Sequence, residues 1–64
     1  MNSKHHRKAR FNGGRNEKRN ISYVPQYKHD AWHKLFGIMT PHQIAKEINE
    51  KWIDPDYKLI VKPS

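Results

Sequence analysis

Four of the five histidines in this chain fall into two pairs whose spacing suits metal or acid–base chemistry. His5 and His6 are adjacent, and His29 and His33 are four residues apart. On a strand, neighbours point to opposite sides, so His5 and His6 cannot both do the same job. On a helix, residues four apart share a face. If a hairpin packs on that helix with His29 and His33 facing it, one strand histidine joins them around a divalent cation. The result is a three-histidine site with open positions. The other strand histidine could act as a base toward a bound phosphodiester, since imidazole titrates near neutrality. A lone His-x-x-x-His is more often surface or capping chemistry, and a His-His pair in a basic tail is mostly solvated. It is the joint spacing that favours a site. His42 falls in the first turn of a predicted helix and reads as surface.

The segments around these residues read as follows. Residues 1–4 are polar and read as a disordered basic N-terminus. His5 to Phe11 reads as an edge strand, and Asn12-Gly13-Gly14 is a strong turn signal. Arg15 to Arg19 reads as loop. Asn20-Ile21-Ser22-Tyr23-Val24 is the best strand candidate, closed by Pro25. Such a hairpin is marginal alone and must pack on something. A first helix is predicted from about Gln26–Lys28 to Phe36, with Ala31, Trp32, Leu35 and Phe36 as its apolar stripe and Gly37 as its stop. A second helix is predicted over 40–52. Thr40 caps it, Pro41 suits its first position, and Gln43 completes a capping box. Ile44, Ala45, Ile48 and Trp52 would form its buried face. Asp54-Pro55-Asp56 reads as a turn and 57–61 as a short last strand. The expected fold is α+β: one domain over 5–64, with a hairpin and helix in 5–36, a second helix and a short C-terminal strand.

Composition narrows the function classes. A chain of 64 residues is one domain at most. It has no cysteine, which excludes disulfides and cysteine zinc sites. No apolar run suits a membrane helix, and no hydrophobic segment follows the basic start, so the expectation is a cytoplasmic protein. Asn20-Ile21-Ser22 matches a glycosylation sequon and reads as a chance match. The net charge is +7 and is uneven. Residues 1–20 hold a balance of +6 and residues 21–64 only +1. A concentrated basic arm is the electrostatic footprint of a polyanion binder.

Taken together, His6, Gly13-Gly14, Asn20, His29 and His33 resemble the HNH endonuclease motif, the ββα-metal finger. That pattern has an Asp-His or His-His pair, a Gly-Gly turn, an Asn and a final His. The extra His33 resembles the colicin-type branch. The stretch His29-Asp30-Ala31-Trp32-His33-Lys34-Leu35-Phe36 is similar to small uncharacterised HNH-like proteins. The resemblance covers about residues 4–36. It implies that His6 is the general base, that His5, His29 and His33 bind one divalent ion (magnesium, zinc or nickel), and that Asn20 pins the loop and orients the base through its amide. Arg7, Lys8, Arg10, Arg15 and Arg19 would contact nucleic acid. The implied reaction is hydrolysis of DNA phosphodiesters, most naturally double-stranded, with little sequence preference. The family's usual apolar residue and Pro after the base are here Arg7, Lys8 and Ala9, and its flanking cysteine pairs are absent.

Two other classes fit the same residues. One is a non-catalytic module of this fold that binds nucleic acid or protein through the basic arm. The other is a small regulatory protein docking through Trp32/Phe36 or Trp52.

Overall fold

The computed structural model describes residues 1–64. The order is strand β1 (Asn2–His6), strand β2 (Ile21–Pro25), helix α1 (Gln26–Leu35) and helix α2 (Pro41–Lys51). The strands pair antiparallel, with Asn2 opposite Pro25, Ser3 opposite Val24, His5 opposite Ser22 and His6 opposite Ile21. The ladder runs on at both ends, where Gln26 N–H donates to the Met1 carbonyl and Arg7 N–H to that of Asn20. The α+β expectation holds: an antiparallel hairpin followed by two helices.

The first strand lies further upstream than expected. Residues 2–4, expected to be disordered, carry the ladder, and residues 8–11, expected to be strand, do not. The physical reason is pairing length: β2 ends at Pro25, and its antiparallel partner must reach back to Asn2 to match it.

Residues 7–20 form a folded loop with two 3-10 turns, Arg10–Asn12 and Lys18–Asn20. It is therefore much longer than a tight hairpin turn. Gly13 ends the first turn with φ 90°, a left-handed conformation that favours glycine. Gly14 serves a different need, since a Cβ there would collide with the Lys8 carbonyl. Asn20 ties the loop's two limbs together. Its Oδ1 accepts from Lys8 N–H (2.7 Å), and its Nδ2 donates to the carbonyls of Lys8 (3.1 Å) and Arg15 (2.8 Å). All three amide contacts are internal to the loop.

Helix α1 starts directly after Pro25 and packs on the hairpin. Trp32 and Phe36 lie half-buried with ring centroids 4.6 Å apart, whereas Ala31 and Leu35 of the expected stripe are exposed. The helix is too short and the hairpin too narrow to cover a wider face. At its C-terminal end the Trp32 carbonyl accepts from both Phe36 and Gly37 N–H.

Helix α2 begins as its sequence predicts. Thr40 Oγ1 accepts from Gln43 N–H (3.4 Å), and Gln43 Oε1 accepts from Thr40 N–H (2.8 Å). Its contact with the rest of the fold is sparse. Ala45 is the single buried residue of the chain, Ile44 and Ile48 are half-buried, and Trp52 is 59% exposed rather than buried. Trp52 follows the last residue of α2, and no layer is stacked over that end.

Residues 57–61 form no strand, because the sheet has only two strands and neither edge meets them. The side chain of Asn49 takes the place of a strand neighbour: Leu59 N–H donates to its Oδ1 (2.8 Å), and its Nδ2 donates to the Leu59 carbonyl (2.9 Å). The expected turn at Asp54 is present, with Asp56 N–H bonded to Asp54 Oδ1. No helix is long and apolar enough to cross a membrane.

Candidate metal centre

Strand alternation puts Ser3 and His5 on the face of β1 that meets α1. The helical repeat puts His29, Trp32 and His33 opposite them. Three imidazoles converge as a result. One ring nitrogen from each of His5, His29 and His33 lies within 4.8 Å of the others. The rings of His5 and His29 meet edge to face at 5.2 Å, and Trp32 closes the side of His5 at 5.8 Å. The Nε2 atoms of His29 and His33 are 2.9 Å apart.

This arrangement fits a divalent ion. Tetrahedral zinc with Zn–N of about 2.0–2.1 Å requires nitrogen separations of roughly 3.3 Å. The spacings in the cluster, 2.9 Å between His29 and His33 Nε2 and none above 4.8 Å, bracket that value. Burial also favours the ligating form. Desolvation, then the charges of His29, His33, His6 and Arg7, lower the pKa of His5 from 6.5, so this imidazole stays neutral to lower pH.

His6 leaves β1 on the opposite side, yet it lines the same cleft of about 330 Å³ as His5, His29, His33, Arg7 and Arg10. Its Nε2 lies 2.7 Å from Asn16 Oδ1. An amide oxygen only accepts, so Nε2 carries the proton and Nδ1 is the basic nitrogen. Asn20 was expected to do two things. It pins the loop through Lys8 and Arg15, but the side chain that holds His6 is Asn16.

Arg7 and Arg10 line the histidine cleft, and Lys8, Arg15 and Arg19 line, together with Glu17, a depression over Gly13 and Gly14. Arg7 connects the two, its Nη1 donating to the Arg19 carbonyl (3.2 Å). Both ion pairs of the chain lie on α2, so no basic side chain of residues 1–20 forms one. His42 sits exposed on α2, outside the histidine cluster.

Sequence reasoning missed two residues, Ser3 and Asn16. Ser3 Oγ lies 2.6 Å from His29 Nδ1. The period-2 spacing from His5 was a signal for it, once the strand is extended upstream. Asn16 carried no signal, since its position depends on the path of the loop. No family model, curated protein or solved structure matches this chain.

Proposed function

We propose that this protein is a minimal HNH-type metal-dependent endonuclease that hydrolyses DNA phosphodiester bonds. The observation that carries the proposal is the convergence of His5, His29 and His33 with His6 in one cleft. Three imidazoles with no carboxylate among them favour zinc or nickel over magnesium, which prefers oxygen ligands. When bound, such an ion supplies Lewis-acid stabilisation of charge on the phosphoryl and leaving oxygens.

The chain's own residues supply the rest. His6 takes a proton from the attacking water at Nδ1, while Asn16 keeps its other nitrogen protonated. Arg7 and Arg10 hold phosphate oxygens beside it. Asn20 and Gly14 keep the loop that follows His6 in one shape.

The test is an NMR titration of the histidine side chains with zinc, then with a short DNA duplex. The proposal expects His5, His29 and His33 to shift together with zinc and His6 to respond to DNA. Histidines that ignore zinc while the basic loop responds to DNA would favour a second reading, a non-catalytic nucleic-acid-binding module. What supports that reading is the second basic depression at Lys8, Arg15 and Arg19, away from the histidines. A protein partner would meet Trp52, which is exposed, while Trp32 and Phe36 pack on each other half-buried.

A further inference from the structure

The geometry points to Ser3 as the positioning residue of the metal centre, its hydroxyl presenting Nε2 of His29 to the ion. This rests on the metal reading above, but not on the nuclease reading. An imidazole binds a metal through one unprotonated nitrogen, and the partner of the other nitrogen sets the tautomer and the ring's orientation. Ser3 is the only residue outside the histidine cluster that hydrogen-bonds to any of its three rings. Its Oγ lies 2.6 Å from His29 Nδ1, and this leaves His29 Nε2 turned toward His33 Nε2 at 2.9 Å.

Ser3 is itself well placed for this role. It is half-buried, and its backbone is fixed opposite Val24 in the strand ladder. It stands two residues before His5, on the same strand face. β1 thus supplies one ligand and the support for a second, and α1 supplies the remaining two.

A hydroxyl both donates and accepts. A hydrogen bond across the Nε2–Nε2 contact needs one proton, carried by either His29 or His33. With the proton on His33, His29 Nδ1–H donates to Ser3 Oγ. With it on His29, the Ser3 hydroxyl donates to Nδ1. An ion held by both Nε2 atoms requires the first arrangement at His29. Ser3 meets that requirement by rotating its hydroxyl, with no movement of heavy atoms.

The experiment is calorimetric zinc titration of the full chain, wild type against Ser3→Ala and Ser3→Thr, with histidine NMR of the zinc-loaded wild type. Ser3→Ala is expected to weaken zinc binding about 10–100-fold. Its melting temperature without zinc should fall by only a few degrees, the loss of one hydrogen bond, and Ser3→Thr, which keeps the hydroxyl, should restore affinity. In the wild type, His29 should carry its proton at Nδ1, shielded from solvent exchange. Equal zinc affinity in Ser3→Ala, or a wild-type His29 bound through Nδ1, overturns the role of Ser3 while leaving the metal centre intact. A wild type that takes up no zinc overturns both. Zinc affinity that depends on Ser3, in a protein that leaves DNA uncut, supports Ser3 and removes only the nuclease reading.

Discussion

His29 and His33 meet across one turn of α1 with their Nε2 atoms 2.9 Å apart, and His5 approaches them from β1. The chain buries only Ala45, so little apolar burial ties the helix to the hairpin. An ion held by all three histidines would be a cross-link between the two elements, and its binding energy would be folding energy.

Zinc should therefore raise the melting temperature. At free zinc about 100-fold above its dissociation constant, the stabilisation is about 2.7 kcal/mol. For a domain this small, each kcal/mol moves the midpoint by roughly 4–8 °C, so the total shift should exceed 10 °C. Thermal melts with and without zinc check this, and His33→Ala should lose most of the shift.

Stability without added metal should fall in acid. Burial first, and then the neighbouring histidines and Arg7, lower the His5 pKa in the folded state below its unfolded value of 6.5. The folded protein then takes up this proton less readily than the unfolded chain. The His5 contribution is present above pH 6.5 and is lost as pH falls through the folded value. Denaturant melts from pH 8 to pH 5 in chelator should show the loss, and His5→Gln should flatten it.

The loop should depend on Asn20 and Gly14 in different ways. Asn20→Ala removes three hydrogen bonds, each worth about 0.5–1.5 kcal/mol net, and some are recovered by water. A loss of about 1–3 kcal/mol is expected, measured by denaturant unfolding. Gly14→Ala drives a Cβ into the Lys8 carbonyl, and backbone there must move. Its destabilisation should be at least as large, and the His6 resonances should shift in both variants.

These residues also show what the sequence could and could not disclose. The start of α2 was legible because Thr40, Pro41 and Gln43 carry a local hydrogen-bond code that needs no tertiary contact. The pairing of His29 with His33 was legible from helical geometry. The upstream extent of β1 was not, because Asn2, Ser3 and Lys4 have no apolar pattern and are ordered only by pairing with β2. The fate of Leu59 was equally hidden, since a single side chain, Asn49, replaces the strand that its alternation suggested.

If the protein binds DNA as proposed, binding should be strongly salt-dependent, because the basic side chains of residues 1–20 form no ion pairs. Neutralising Arg7 or Arg10 to Gln should reduce the slope of log affinity against log salt by about 1 each. Fluorescence anisotropy on a short duplex at several salt concentrations measures it. A flat salt response would remove the basic loop from the interface.

The central claim is that His6 acts beside a three-histidine metal centre to cut DNA, and a plasmid-nicking assay tests it most directly. Wild type and His6→Ala are compared with zinc, nickel, magnesium and chelator, after calorimetry has shown equal zinc uptake by both. The account predicts nicking by wild type only with a divalent ion, and loss of nicking in His6→Ala. Intact plasmid with every ion, or equal cutting by His6→Ala, would contradict it.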